Sequence, residues 1–271
     1  MNKSQYIATL PENNLTLVLG GSGGIGSEVV RALAANGAEM VVIGYGRNKA
    51  EAETLQAEVE ALGVKAFTAQ IDRSSREAMD QVLEAIVTVA GREITGVVDC
   101  IGISPNIPFH KLTLEDFRKV FQVNVEGCFV STQSIAERLK ANGMRNATIV
   151  IITSTNGDNS FSAQSLAYDM SKRSLDGLVM SLAEEYGADD IRFIGAALGW
   201  IADKDPEGMN SSLPPGMWAR EIGYVYMARP ASPIEAARFI YGMLTSSHSY
   251  VTGEIVKMDG GYPRRNPVSV R

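Results

Sequence analysis

Tyr168 and Lys172 stand four residues apart in Tyr168-Asp169-Met170-Ser171-Lys172, a spacing that puts a phenol and an ammonium on one face of a helix. A free tyrosine titrates near about 10, too high for easy proton exchange at neutral pH. A fixed cation beside it stabilises the phenolate and brings it toward working range. Ser154 follows the apolar run Thr148–Ile152 and offers a hydroxyl suited to holding a substrate oxygen at a strand's carboxyl end. Asn124 lies in Phe121-Gln122-Val123-Asn124-Val125-Glu126-Gly127, where a carboxamide is unfavourable unless its amide is used. Tyr-x-x-x-Lys alone is common; four such features in order are not.

A second constellation binds rather than reacts. Leu15–Leu19 runs into Gly20-Gly21-Ser22-Gly23-Gly24-Ile25-Gly26 and then an amphipathic stretch, so the glycines form a strand-to-helix turn. Amides at a helix N-terminus accept a phosphate when no Cβ intervenes, and the peptide dipoles there favour negative charge. The spacing Gly20/Gly24/Gly26 lacks the Gly-Lys-Ser/Thr ending of an ATP loop, which leaves a dinucleotide pyrophosphate as the expected guest. A tight strand–helix packing turn is the bland alternative. The second strand exits through Ile43-Gly44-Tyr45-Gly46-Arg47-Asn48 without the acid that would bond a ribose 2′-hydroxyl. NADP(H) is therefore preferred, with NAD(H) as the alternative, and Arg47, aided by Asn48 or Lys49, is the candidate for the extra phosphate. Asn48 with Glu51 also reads as a helix capping box. Asp72 is a candidate for the adenine amino group or, equally, for a helix N-cap.

The elements that must position these groups alternate short β-branched runs with helical periodicity, the pattern of an α/β, doubly wound Rossmann fold: a seven-stranded parallel sheet with helices on both faces. Strands are expected at Leu15–Leu19, Met40–Ile43, Val64–Thr68, Gly96–Asp99, Thr148–Ile152, Ile191–Ala196 and Glu254–Met258. Helices are expected at Gly26–Asn36, Lys49–Leu62, Arg76–Ala90, Leu114–Ala141, Ser165–Tyr186 and Pro233–Thr245, with Gly37, Gly63 and Gly143 as stops. No repeat or linker divides residues 1–271, so one dinucleotide-binding domain is expected. Residues 202–229 lack periodicity and carry Pro206, Pro214, Pro215, Met209, Met217 and Trp218, a candidate substrate lid or an irregular helical pair.

Composition excludes several classes. The 25 Lys and Arg against 31 Asp and Glu give a net charge of -6, without the basic excess that nucleic acid binding needs. No apolar run suits a signal peptide or a membrane span. Cys100 and Cys128 lack metal or disulfide spacing, which argues against a zinc site and fits a reducing, cytoplasmic compartment. The 26 glycines in 271 residues exceed the usual share of about 7% and mark turns or close approaches.

Taken together, residues 13 to 262 resemble the short-chain dehydrogenase/reductase family in its single-domain form. The resemblance rests on Gly20/Gly24/Gly26, Asp72, Asn124, Ser154, Tyr168/Lys172 and the closing stretch Thr252–Gly261. It implies hydride transfer between a nicotinamide and a carbonyl/alcohol pair, with Tyr168 as general acid/base and Ser154 polarising the carbonyl. Lys172 would hold the nicotinamide ribose and tune Tyr168, and Asn124 would anchor a proton-relaying water. Cofactor contacts are expected from Gly20, Ser22, Gly23, Gly24, Ile25, Gly26, Tyr45, Arg47, Asn48, Asp72, Cys100, Gly102, Tyr168, Lys172, Gly199 and Ile201. Three positions depart from the family: Asp99-Cys100-Ile101-Gly102 replaces Asn-Asn-Ala-Gly, Leu198-Gly199 replaces Pro-Gly, and Asp203 stands where a threonine is usual.

The leading expectation is an NADP(H)-dependent ketoreductase acting on a small free molecule. An NAD-dependent alcohol or sugar dehydrogenase is the alternative, and a cofactor-binding sensor or scaffold is the alternative of another class. Glu184, Glu185, Asp189 and Asp190 would repel an acidic carrier domain, and Ser165 stands where an enoyl reductase has its tyrosine. Candidate substrate residues are Ser104, Asn106, Asn156, Phe161, Trp200, Met209, Met217 and Trp218. The Leu114–Ala141 and Ser165–Tyr186 helices resemble those that pair subunits in family homotetramers, so a homotetramer or homodimer is expected.

Overall fold

Seven apolar runs form seven parallel strands, and their order creates the site. In the computed structural model, which describes residues 7–157, 164–202 and 217–262, the strands are β1 (Leu15–Leu19), β2 (Met40–Tyr45), β3 (Lys65–Gln70), β4 (Gly96–Asp99), β5 (Ala147–Ser154), β6 (Ile191–Leu198) and β7 (Glu254–Met258). They lie in the order β3-β2-β1-β4-β5-β6-β7, every neighbouring pair parallel. Winding reverses between β1 and β4, so the loops leaving these two strands part and open a crevice at the carboxyl edge. Leu19 pairs with Asp99, which sets Gly20 beside Cys100 at the mouth of that crevice.

The helices are α1 (Gly24–Ala35), α2 (Lys49–Glu60), α3 (Arg76–Ala90), α4 (Leu114–Phe121), α5 (Gly127–Ala141), α6 (Leu166–Tyr186), α7 (Met217–Ile222) and α8 (Pro233–Leu244). Alternate strand residues feed two cores. Val18, Ile43, Val98 and Val150 pack under α1, α2 and α8, whereas Leu17, Val42, Val97 and Ile149 pack under α3, α5 and α6. Both faces of each central strand are thus out of water, as continuous apolar runs require, and each fully buried Leu or Val contributes about 1.5–3 kcal/mol. Side chains start the helices as their residue types dictate. Ser75 caps α3, and Thr113 with Asp116 and Ser232 with Glu235 close capping boxes on α4 and α8. Gly37, Gly63 and Gly143 follow α1, α2 and α5 with φ of 81°, 86° and 63°, the stops their positions suggested.

Several element ends shift by one or two residues, and three differences bear on the site. β5 extends to Ser154 because its ladder with β6 continues through the Ser154–Leu198 pair, so Ser154 sits on a strand and not in a loop. α1 begins at Gly24, which places the last glycines inside its first turn. The expected single helix Leu114–Ala141 is two, joined by a wide π-type turn at Gln122–Glu126 that contains Asn124. Of the residues expected to form a lid, 203–216 lie outside the described residues, and those that follow begin with α7.

Candidate active site

The glycine loop is shaped by close contact with itself. Gly20 has φ +74°, and a Cβ on Gly26 would fall 2.2 Å from the Gly20 carbonyl oxygen, so a side chain there would break the turn. A Cβ on Gly24 would meet nothing within 4 Å, because that carbon faces open space. The amides of Gly24, Ile25 and Gly26 form the first turn of α1 and have no intrahelical acceptor. They border a groove of about 390 Å³ lined also by Gly20, Gly23, Cys100, Gly102, Ile201 and Pro233. Open amides, a helix dipole and absent side chains suit a pyrophosphate.

Other expected cofactor contacts divide. Ser22 lines a separate depression with Arg31 and Thr54. Tyr45 turns inward and packs in the core, only 8% exposed, so its side chain is not at the groove. Arg47 and Asn48 are exposed, and Asn48 makes no capping bond to α2, so the anticipated capping box with Glu51 does not form. Asp72 is not a helix cap either: its carboxylate accepts from the Ser74 N–H at 2.9 Å, and the Ser74 side chain and N–H hold its pKa below the usual carboxylate value. Burial pushes the Cys100 thiol well up, which leaves it protonated and inert in the groove wall.

Ser154 and Tyr168 line a neighbouring cleft of about 290 Å³ together with Ser104, Asn106, Asn156, Gly199 and Trp200. Ile25 and Ile201 line both cavities, so groove and cleft adjoin. The Ser154 Oγ accepts from the Asn156 N–H at 3.2 Å, which leaves its hydroxyl proton to be donated elsewhere. Lys172 is 4% exposed and donates from Nζ to the Ile152 carbonyl at 2.6 Å; the same Nζ lies 5.7 Å from the centre of the Tyr168 ring. Asn124 is fully buried and bonds both the N–H and the carbonyl of Ile103, as well as the Ser171 hydroxyl beside Lys172. One turn beyond Lys172, burial raises the Asp176 carboxyl.

Sequence reasoning missed Asp169. It is 6% exposed, and its Oδ1 accepts from Asn156 Nδ2 at 2.7 Å and from Ser165 Oγ at 2.9 Å, tying the cleft wall to the helix turn that carries Tyr168. Nothing in Tyr168-Asp169 alone marks an inward carboxylate. Behind the cleft, Trp200 and Ala202 are clamped to Ala231: the Ala231 N–H donates to the Trp200 carbonyl at 2.9 Å and the Ala202 N–H to the Ala231 carbonyl at 2.7 Å. Tyr262, beyond β7, donates to the buried Glu221 of α7 at 2.6 Å. Phe161, Asp203 and Met209, and the side chains of Met217 and Trp218, lie outside the described residues.

Comparison with known proteins identifies the family. The family model for short chain dehydrogenase matches residues 14–207. A 3-oxoacyl-(acyl-carrier-protein) reductase from Synechocystis sp. is 27% identical over 91% of this chain and 96% of its own length. An L-rhamnose 1-dehydrogenase (NADP(+)) from Thermoplasma acidophilum is 28% identical over 90% of this chain and 94% of its own. Among solved structures, a short-chain dehydrogenase/reductase from Serratia marcescens superposes with a TM-score of 0.82 at 25% identity, covering 92% of this chain and 98% of that one. The matched stretch takes in the glycine loop, Asn124, Ser154, Tyr168 and Lys172 together, and the chain belongs to the short-chain dehydrogenase family as an oxidoreductase of CH–OH groups.

Proposed function

We propose that the chain is an NADP(H)-dependent reductase of a small free ketone, reversible toward the secondary alcohol. The observation that carries this reading is the meeting of Ser154 and Tyr168 in one cleft that adjoins the glycine groove through Ile25 and Ile201. A nicotinamide dinucleotide, when bound, supplies or accepts the hydride. Ser154, its acceptor side occupied by Asn156, donates its proton toward the substrate oxygen as negative charge develops there. Tyr168 gives the proton to that oxygen in reduction and takes it in oxidation, with the Lys172 ammonium held nearby.

The preference for NADP(H) is supported by the β2 exit, which carries exposed Arg47 and no acid, and by the similarity to an NADP(+)-linked rhamnose dehydrogenase. A single domain over residues 1–271, a homotetramer or homodimer and a cytoplasmic setting complete the proposal. The exposed apolar side chains Phe129 on α5 and Met180 on α6 support subunit pairing, and the free thiols of Cys100 and Cys128 support a reducing compartment. A carrier-bound acyl substrate is the second reading, favoured by the Synechocystis relative and opposed by the acidic end of α6.

The test is carbonyl-dependent oxidation of NADPH and NADH, side by side, across ketones, keto sugars, quinones and β-keto esters, with Tyr168→Phe as control. Turnover faster with NADPH and about 10²–10⁴-fold lower in the variant is expected. Full activity of Tyr168→Phe on every accepted substrate would remove the assigned acid/base.

A further inference from the structure

Arg73 lies in the turn after β3, yet its side chain ends against the π-type turn that holds Asn124. It is 10% exposed, with Nη1 2.9 Å from Asp99 Oδ2 and Nη2 donating to the Val123 carbonyl at 2.8 Å. A guanidinium leaves water without penalty only when its fork is matched, and here an ion pair and a backbone carbonyl occupy it. Gly127 makes the room: a Cβ there would stand 2.6 Å from Arg73 Nε. Asp99, 4% exposed at the end of β4, uses its other oxygen to accept from the Ile101 N–H at 3.0 Å, and Ser131 Oγ approaches Oδ2 at 3.5 Å. Asp99 was the first of the departures noted from the family's Asn-Asn-Ala-Gly, and Arg73 is the partner that makes an acid tolerable there.

The pair therefore holds two pieces of backbone at once. One is the loop from Cys100 to Ile103, whose Cys100 and Gly102 line the glycine groove. The other is the turn at Gln122–Glu126, in which Val123 immediately precedes Asn124. Asn124 joins the two a second time through Ile103 and reaches Ser171, next to Lys172. We propose that Arg73 and Asp99 are positioning residues for proton transfer: they fix the π-type turn against the β4 loop, and so hold Asn124 and, through Ser171, Lys172 in place. The proposal rests on the roles assigned above to Lys172 and Tyr168. It also links the two ends of the crevice, because Arg73 directly follows Asp72 on the expected adenosine side.

The test compares wild type with Arg73→Lys and with the double variant Arg73→Gln/Asp99→Asn. Lysine keeps a cation for Asp99 but lacks the planar fork that spans Asp99 and Val123, and the double variant leaves no buried charge without its counter-charge. Four quantities are measured: turnover, the pH profile of alcohol oxidation, NADPH dissociation constant, and hydrogen exchange of the segment 101–126. Both variants are expected to lose at least about tenfold in kcat, with NADPH affinity changed less than about threefold. The pH profile of oxidation should change with kcat, because Lys172 and Tyr168 no longer keep one geometry. The amide of Ile103, held by Asn124, should exchange faster. Folded variants that keep kcat, pH profile and exchange within twofold of wild type while losing only melting temperature would overturn the proposal. Should wild type itself turn over no carbonyl or alcohol, the functional reading fails; exchange then decides the positioning claim alone, faster exchange upholding it and unchanged exchange overturning it.

Discussion

The carboxamide of Asn124 holds the backbone of Ile103 from both sides, its Oδ1 2.8 Å from the amide nitrogen and its Nδ2 3.0 Å from the carbonyl oxygen. A carboxamide meets a peptide in kind, donor to acceptor and acceptor to donor. The contact sets the loop after β4 against the turn between α4 and α5, and Asn124 is fully buried there.

Asn124→Ala removes the partner of the half-buried Ile103 backbone groups and of the buried Ser171 hydroxyl, and an unsatisfied buried group costs about 1–3 kcal/mol. A fall in melting temperature together with reduced turnover is expected. Asn124→Asp, which keeps the acceptor and loses the donor, should also lower both. Melting curves and kcat on the same preparations decide it, and an alanine variant with wild-type values of both would show that the grip on Ile103 matters to neither.

Arg47→Ala should weaken NADPH and spare NADH. Lys49 is engaged by Glu53 at 3.2 Å, whereas Arg47 is exposed at the β2 exit. A charged hydrogen bond to phosphate contributes about 1.5–3 kcal/mol, so a loss of about 10- to 100-fold in NADPH affinity is expected. Fluorescence titration of both nucleotides measures it; equal loss for the two would assign Arg47 no part in choosing between them.

Acid should erase one specific contribution to stability. Bidentate contact with Arg229 and the Ser232 N–H hold the pKa of Glu235 down to about 2. A depressed carboxyl stabilises the fold above its ordinary range, near about 4.3, and the contribution fades as pH falls toward the folded value. The melting-temperature gap between wild type and Glu235→Gln should therefore narrow steadily from pH 5 toward pH 2. A gap that stays constant or widens on acidification would contradict the assignment.

What could be read from the chain was local. The run Leu15–Leu19 into Gly20–Gly26 announced a strand, a turn and a helix because each residue type has its own backbone or burial preference, and the four-residue step from Tyr168 to Lys172 needed only helical geometry. The break in the helix expected at Leu114–Ala141 was hidden because the groups that meet it come from elsewhere in the chain: Arg73 on the Val123 carbonyl and Ile103 on the Asn124 amide. Asp169 was missed for the same reason, its partners Asn156 and Ser165 being assembled only when β5 meets α6. Conversely, Asn48 and Glu51 form a valid capping pattern that the folded chain does not use. Both residues are exposed, and no contact in the fold explains why the cap is left unmade.

The two backbone hydrogen bonds joining Trp200 and Ala202 to Ala231 have a practical meaning. They close a stem, so the chain leaves the sheet edge and returns to it at one fixed doorway, however many residues lie between. Main-chain groups make both bonds, so the position of this doorway does not depend on which side chains stand at 200, 202 and 231.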